Sequence, residues 1–268
     1  METKSAFQRR SRILAALAAT VLLGAPLSAR ADDASVQKRI ETRLEKAKLG
    51  QEGEIAVAVS GDTATLTGAV TTVAAQREAA KQARKEVKKV DNEIRVVPEE
   101  RADADILKAV RSAILRYPNL TVFDSVELGV QDGVVFLEGS TQQPWRKDDV
   151  DRLVARIPGV RDVKNEITVQ GLSSFDASLR RQLYRGIYGS GGAILSSFAD
   201  MATPPVRIVV NDGHVTLTGW VNSEVERQLI GNVARQTLAF SVDNRVKVDG
   251  EPPAADRKPA APGDDTVI

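Results

Sequence analysis

The stretch "VRIVVNDGHVTLTGWV", residues 206–221, alternates apolar and other residues on both sides of a central Asn-Asp-Gly. Alternation with a period of two is typical of a β-strand with one buried face, and Asp-Gly is a favoured pair in a two-residue hairpin turn. With Asp212 and Gly213 in the turn, the residues that share one face are Val206, Ile208, Val210, Val215, Leu217 and Gly219. The stretch therefore predicts a β-hairpin with a single apolar face.

Two other stretches repeat this pattern. "IAVAVSGDTATLTGAV" at 55–70 and "VELGVQDGVVFLEGST" at 126–141 align with 206–221 without a gap. The same register collects a matching apolar set in each: Ile55, Val57, Val59, Ala64 and Leu66 in the first copy, and Val126, Leu128, Val130, Val135 and Leu137 in the second. Because three different sequences choose the same face, they indicate three copies of one structural unit.

His214 is the only histidine of the chain, and it follows Asp212 and Gly213 directly. Histidine beside an aspartate occurs in catalytic and metal sites, and it also occurs on ordinary strands. The register places His214 on the face opposite the apolar set, and its counterparts in the other copies are Thr63 and Val134. We therefore interpret it as an exposed cross-strand residue.

An amphipathic helix pattern precedes each hairpin, and a second one follows it. The apolar positions of the first helices are Val36, Ile40, Leu44 and Ala47; Ile106, Val110, Ala113 and Ile114; and Leu179, Leu183 and Ile187. Those of the second helices are Val73, Ala80, Ala83, Val87 and Val90; Val150, Leu153 and Ile157; and Val225, Leu229 and Val233. Near the starts of the first helices, the expected helix caps are Asp33, Asp103 and Asp176. Each copy closes with a short strand after an asparagine, namely Asn92, Asn165 and Asn244.

This order of elements, the "DGxVxLxG" hairpin and the "VxNxIxV" closing strand resemble the BON domain (bacterial OsmY and nodulation). The resemblance implies an α+β fold of three tandem small two-layer sandwiches, each helix-strand-strand-helix-strand. We expect them at residues 33–98, 102–170 and 174–249, the third with an insertion near 189–205. The resemblance also implies a bacterial envelope protein. Such proteins are proposed to bind phospholipid surfaces or other envelope components, and no catalytic residues are known in the family.

Residues 1–31 have the pattern of a secretory signal peptide: a positive start, an apolar stretch at 13–24 and a small-x-small cleavage site at 29–31. A membrane anchor is the alternative, but spanning a bilayer takes roughly 20 apolar residues. The sequence therefore predicts a periplasmic protein that begins near Asp32. The tail at 250–268 is rich in Pro and Ala, and we predict it to be disordered.

The composition excludes several classes of site. The chain has no cysteine, which excludes disulfides, thiol catalysis and cysteine-ligated zinc. Without residues 1–31 the chain is slightly acidic, so no overall basic field suggests nucleic acid as a partner. No Ser-His-Asp motif and no histidine cluster is present. We therefore expect no enzyme activity, no metal and no cofactor, and the oligomeric state stays open.

A candidate lipid-binding surface lies in the third copy. Opposite the stripe of Leu179, Leu183 and Ile187, a helical wheel places Arg180, Arg181, Tyr184, Arg185 and Tyr188. The insertion that follows, which the other copies lack, carries Ile194, Leu195, Phe198 and Met201. Aromatic rings beside cations suit a headgroup interface, and an apolar insertion suits the acyl boundary. The alternative is that the insertion folds back over its own domain or the second one.

A second candidate is a basic face on the second helix of the first copy. Its residues are Arg77, Lys81, Arg84, Lys85, Lys88 and Lys89. Each cation near an anionic membrane contributes about 1 kcal/mol to binding. The alternative is a solvated helix face whose charge is diluted by Glu78 and Glu86.

Two functions follow from these patterns. The leading prediction is a periplasmic, non-enzymatic protein that associates peripherally with anionic phospholipid or another envelope surface. The alternative is a chaperone-like or stress-protective protein that binds client or other envelope proteins through exposed sheet edges or the apolar insertion. Flotation with liposomes distinguishes the two predictions.

Overall fold

The computed structural model describes residues 31–171, 173–189, 193–199, 201 and 204–249. The predicted signal peptide, except for its last residue, and the predicted disordered tail lie outside these residues. Three small sheets, each accompanied by two helices, confirm the predicted α+β class. Among the described helices, none is long and apolar enough to cross a membrane.

Each repeat forms one domain in the order predicted from the sequence. Domain 1 contains α1 (Ala31–Lys46), a short 3₁₀ helix (Leu49–Gln51), β1 (Gly53–Ser60), β2 (Thr63–Val70), α2 (Val73–Ala83) and β3 (Lys89–Val96). Domain 2 contains α3 (Asp103–Leu115), β4 (Ser125–Gln131), β5 (Val134–Thr141), α4 (Pro144–Val154), β6 (Asp162–Asn165) and β7 (Thr168–Val169). Domain 3 contains α5 (Ser174–Tyr188), a short 3₁₀ helix (Ser196–Phe198), β8 (Val206–Asn211), β9 (His214–Val221), α6 (Glu224–Arg235), β10 (Ser241–Asn244) and β11 (Lys247–Val248).

The second hairpin strand is the centre of each sheet. In domain 1, β2 pairs antiparallel with β1 and parallel with β3. Strands β5 and β9 hold the same central position in domains 2 and 3, where the closing strand is split into two parts. The two helices of each domain pack on each other and on the sheet. The first strand of each hairpin is therefore a sheet edge.

The predicted hairpin register is confirmed in all three copies. Ile208 pairs with Leu217 in domain 3, and the equivalent pairs are Leu128 with Leu137 and Val57 with Leu66. These side chains form the sheet side of each core, because alternate residues of a strand point to the same face.

The second helices depart from the predicted apolar stripes. α2 ends at Ala83, so Val87 and Val90 lie outside it. In α6, Val225 is 64% and Leu229 45% exposed, and the buried residues are instead Ile230, Gly231 and Ala234. The Asn244 amide donates to Arg227 O at 3.0 Å, and a Cβ on Gly231 would lie 2.8 Å from that amide nitrogen. The side of α6 that carries Gly231 is therefore the side packed against the sheet, and Val225 and Leu229 lie on the other side.

The three aspartates do not cap their own helices, contrary to the prediction. Asp176 accepts hydrogen bonds from the backbone N–H groups of Asp212 and Gly213 in the hairpin turn of domain 3. Asp103 binds the turn of domain 2, and Asp33 binds the turn of domain 1. Each carboxylate therefore joins the first helix to the tip of its hairpin.

Two different junctions connect the domains. Val73 of α2 packs into the core of domain 2, and the Ala74 N–H donates to Ala155 O at 2.9 Å. Between domains 2 and 3, Val122 is buried in the core of domain 3, and Val122 O accepts a hydrogen bond from the Ile208 N–H at 2.8 Å.

Candidate functional site

Tyr188 is buried, contrary to the prediction that it faces outward. Its hydroxyl donates to Val206 O at 2.6 Å and accepts from the Val206 N–H at 2.9 Å. Burial raises the pKa of this tyrosine to about 12. Tyr188 is the last residue of α5, where the insertion and the first residue of β8 cover the helix. Although the helical wheel places Tyr188 opposite Leu179, its side chain therefore does not face solvent.

Arg180 is also buried, with only 5% of its surface exposed, so its predicted outward position is wrong. Its Nη2 donates to Val210 O at 2.5 Å and to the Gln170 side chain at 3.0 Å. Within the described part of the chain it forms no ion pair, and burial lowers the pKa of its guanidinium. Arg180 therefore binds the edge strand β8 and the Gln170 side chain of domain 2, and it does not face a lipid headgroup.

The insertion covers its own domain, which is the second of the two alternatives. Leu195 is buried in the core of domain 3, and its N–H donates to Ile187 O at 2.8 Å. Ile194 and Phe198 are partly buried against the same core. Met201 is the exposed member of the set. The apolar side chains of the insertion thus pack inward, because α5 and β8 leave the end of this core open.

Of the predicted lipid-binding set, only Arg181, Arg185 and Met201 are exposed. Tyr184 is half-buried between two other rings, with centroid separations of 6.2 Å to Phe123 and 5.6 Å to Tyr188. The structure therefore leaves two cations and one methionine of the predicted surface in contact with solvent.

The predicted basic face of domain 1 is divided among several roles. Arg77 forms an ion pair with Asp151 of domain 2, so it belongs to a domain junction. The ammonium groups of Lys81, Lys88 and Lys89 have acidic neighbours in Glu78, Asp62 and Asp91, respectively. Arg84 and Lys85 follow the end of α2, are exposed, and form no ion pair with any described residue. These six residues therefore do not form one continuous basic face.

His214 lies where the register predicts. It is exposed, faces Asn211 across the hairpin, and its Nδ1 lies 2.7 Å from the Ser241 hydroxyl oxygen. The ring of Phe240 meets it edge-on at a centroid distance of 6.0 Å. No cluster of three or more His, Cys, Asp or Glu among the described residues is arranged to hold a metal ion. The histidine is therefore a cross-strand surface residue.

The most exposed large apolar residues were missed by the sequence analysis. Leu238 is 77% and Phe240 72% exposed, and both lie in the 237–240 loop that joins α6 to β10. The Phe240 N–H donates to Gly213 O at 2.8 Å, and its ring stacks on Phe175 at 5.4 Å. A sequence signal existed: the alternation of "VDNRVKV" begins after this loop, so its apolar residues have no strand face to join.

A groove of about 600 Å³ lies between α1 and β1 in domain 1. Its apolar floor includes Leu44, Leu49, Ile55 and Val57. The groove runs along β1, the outer strand of the described sheet. A second, polar hollow of about 430 Å³ lies in domain 2 and includes Asp103 and the hairpin turn that this carboxylate binds.

Two solved structures show a weak likeness to this chain. The structural protein CdsD of the type III secretion system of Chlamydia trachomatis shares 15% identity, with a TM-score of 0.24 and coverage of 80% of this chain and 92% of that chain. The periplasmic domain of the type III secretion inner membrane protein PrgH from S. typhimurium shares 15% identity, with a TM-score of 0.18 and coverage of 76% and 98%. At these scores the likeness supports no conclusion about function.

The sequence of this chain, by contrast, matches one protein family. No curated protein sequence matches this chain significantly. The BON domain matches three segments, at residues 32–98, 102–171 and 193–250. The first two segments span both helices and all strands of domains 1 and 2, and the third begins after α5 and spans the hairpin, the second helix and the closing strands of domain 3. The chain belongs to the BON domain family, with three tandem copies of the domain.

Proposed function

We propose that this BON protein is a non-enzymatic periplasmic protein that attaches peripherally to anionic phospholipid membranes through the 237–240 loop of domain 3. The observation that carries the proposal is the exposure of Leu238 and Phe240, at 77% and 72%. Exposure of two large apolar side chains to water on one surface loop is unfavourable, and their transfer to the acyl boundary of a membrane lowers the free energy.

The contacts of Phe240 support a loop with a defined outward shape. Its backbone is tied to Gly213 O, and its ring rests on Phe175. A Cβ on Gly213 would lie 2.5 Å from that ring, so the glycine makes room for it. An ordered apolar loop loses less conformational entropy on insertion than a disordered one.

The loop is apolar in domain 3 but not at the equivalent position in domain 2. There, Arg161 makes the same backbone hydrogen bond, to Gly133 O at 2.8 Å. Two residues before Arg161 stands Gly159, where domain 3 has Leu238. The difference favours a role that belongs to domain 3 rather than to the fold as such.

A cation accompanies the apolar loop. Arg235, in the last turn of α6, is exposed and hydrogen-bonds only Asn232 among the described residues. Burying a side chain such as leucine or phenylalanine contributes about 1.5 to 3 kcal/mol, and a cation near an anionic surface about 1 kcal/mol. Together these terms suit reversible membrane attachment.

Flotation of the full chain with vesicles tests the proposal. We expect it to float with phosphatidylglycerol-containing vesicles, more weakly as ionic strength rises, and Leu238→Ser with Phe240→Ser to weaken partition at least about tenfold. The matched control is Val97→Ser, since Val97 is 54% exposed away from the loop. Unchanged flotation of the double variant, with unchanged thermal stability, would exclude the loop; no flotation of the parent would exclude the lipid function.

A further inference from the structure

Client binding, the second function expected from the sequence, has separate support at the β1 edge of domain 1. We propose that the groove between α1 and β1 binds an extended, basic-flanked apolar peptide segment of a client protein, which adds as a strand to β1. Strand β1 differs from its counterpart β8 in how its outward backbone groups are bound, and this difference is independent of the membrane contact.

The peptide groups of alternate residues face outward from the edge strand β8. The pair Asn211 and His214 closes the two-residue turn, so the ladder to β9 uses every second residue from Asn211. The remaining residues, Val206, Ile208 and Val210, turn their N–H and C=O groups away from β9. By the same register, the outward residues of β1 are Ile55, Val57 and Val59.

Four of the six outward groups of β8 are bound by two side chains and one segment of domain 2. The Tyr188 hydroxyl binds both groups of Val206, and Arg180 donates to Val210 O. The Ile208 N–H donates to Val122 O. Domain 3 thus protects its edge with two side chains and with one passing segment of domain 2.

In the described part of domain 1, the residues at the positions of Arg180 and Tyr188 do not bind the edge strand. Because Asp33 and Asp176 bind equivalent hairpin turns, α1 and α5 align on them, and Gln37 and Glu45 take the places of Arg180 and Tyr188. The Gln37 amide hydrogen-bonds Glu41 instead. Glu45 is exposed.

Among the described residues, nothing binds the outward groups of β1. Within the described chain, no hydrogen bond reaches the outward groups of Ile55, Val57 or Val59. Unpaired N–H and C=O groups along a sheet edge are a template for pairing with another extended segment. The groove of about 600 Å³ runs along this edge.

Domain 3 also shows which kind of segment such an edge accepts. Thr121, Val122 and Phe123 approach β8 with one backbone hydrogen bond, while the Val122 side chain enters the core and Phe123 packs against it. An edge of this geometry binds an extended segment with β-branched or aromatic residues, through main-chain bonds and alternate side-chain pockets.

The charge of the groove indicates which residues should stand at the two ends of the bound peptide segment. Its titratable side chains are Glu41, Glu45 and Lys48, which leaves a net negative rim above the apolar floor. Complementary lysine or arginine residues at the ends of the segment would place opposite charges together and steer association. These features select a basic-flanked strand over an acidic one.

Binding of a labelled synthetic peptide, Lys-Thr-Val-Thr-Val-Thr-Val-Lys, to the full chain without membranes tests the inference. We expect the parent to bind it, and the variant with Gln37→Arg and Glu45→Tyr, which installs the edge cover of domain 3, to bind at least tenfold more weakly. The matched control places the same side chains at exposed positions outside the groove, as Thr42→Arg and Glu93→Tyr, which change the net charge by the same amount, and keeps parental affinity. Failure of the parent to bind, or equal affinity of the two double variants, would overturn the proposal.

Main-chain pairing is tested on the peptide itself. One peptide carries N-methyl groups on all its valines and another on all its threonines. Strand addition uses the N–H groups of alternate residues, so only one of the two peptides should lose binding. Any other pattern contradicts strand addition. Displacement of the peptide by anionic vesicles, or a dimer that the installed cover dissociates, would assign the groove to lipid or to a second copy instead.

The two proposals fail separately. The variant with Leu238→Ser and Phe240→Ser is expected to bind the peptide with parental affinity, and the variant with Gln37→Arg and Glu45→Tyr to float like the parent.

Discussion

The Asp176 carboxylate accepts hydrogen bonds from the Gly213 N–H at 2.7 Å and from the Asp212 N–H at 3.1 Å, and so ties the first turn of α5 to the tip of the β8–β9 hairpin. Asp103 makes the same pair of bonds in domain 2. Asp33 makes one such bond, to the Gly61 N–H at 3.2 Å. The contact is a repeated feature of this fold and sets how the first helix sits on its hairpin.

Replacing Asp176 should destabilise domain 3. Asp176→Ala leaves the buried Gly213 N–H without its acceptor, and losing a charged hydrogen-bond partner costs about 1 to 3 kcal/mol. Urea unfolding of the full chain measures the loss. Asp249→Ala is the control, because Asp249 is exposed and its carboxylate has no partner among the described residues. Equal stability of the two variants would contradict a structural role for the contact.

The Tyr188 hydroxyl should contribute to the stability of the β8 edge. Tyr188→Phe removes the group that binds both polar groups of Val206, and we expect a loss of about 1 to 3 kcal/mol in the free energy of unfolding. Tyr184→Phe is the matched control, since the Tyr184 hydroxyl only approaches Ala199 O at 3.5 Å. A smaller loss for Tyr188→Phe than for Tyr184→Phe would refute this reading.

His214 should be replaceable. His214→Thr introduces the residue found at position 63 of the first copy, and an exposed substitution shifts stability by no more than about 0.5 kcal/mol. Leu217→Ala, on the buried face of the same strand, should cost about 2 to 5 kcal/mol. Denaturation and flotation of both variants provide the measurement. Loss of flotation in His214→Thr alone would show that this histidine has a functional role.

The exposed arginines of α5 remain a second proposed lipid contact. Arg181→Glu with Arg185→Glu should weaken partition onto anionic vesicles without changing the thermal midpoint, because both side chains are exposed and each cation contributes about 1 kcal/mol near the surface. Zwitterionic vesicles are the control, on which parent and variant should behave alike. Flotation equal to that of the parent on anionic vesicles would remove Arg181 and Arg185 from the contact.

Glu86 should make the stability of domain 1 depend on pH. Hydrogen bonds from Arg39 at 2.8 Å and from Arg43 at 2.5 Å lower its pKa below the usual 4.5. A carboxylate whose pKa is lower in the folded than in the unfolded state stabilises the fold at pH values above the unfolded-state pKa. This stabilisation disappears as the pH falls through the lowered, folded-state pKa. The thermal midpoint of the parent should therefore exceed that of Glu86→Gln at neutral pH, and the two should converge in acid.

The exposed Glu93 provides the control for this pH dependence, because it forms no ion pair among the described residues. Glu93→Gln should follow the parent at every pH. A constant difference between the parent and Glu86→Gln from neutral to acidic pH would show that the charge of Glu86 is not the cause.

The hairpins, their register and the exposed position of His214 were determined by the sequence itself. A period-two pattern around a Gly-containing turn is local information, and three aligned copies leave one consistent register. The same local periodicity identified Leu179, Leu183 and Ile187 as core residues of α5.

Only the tertiary structure determined whether the residues beside those apolar stripes are buried or exposed. Arg180 and Tyr188 are buried because they bind outward peptide groups of β8, and no helical wheel contains that edge. Val225 and Leu229 are exposed because the opposite side of α6, which carries Gly231 beside the Asn244 amide, packs against the sheet. The turn partners of Asp33, Asp103 and Asp176 are likewise distant in sequence. Local patterns specify the elements of this protein, whereas the hydrogen-bonding needs of edges and turns decide which polar side chains enter its interior.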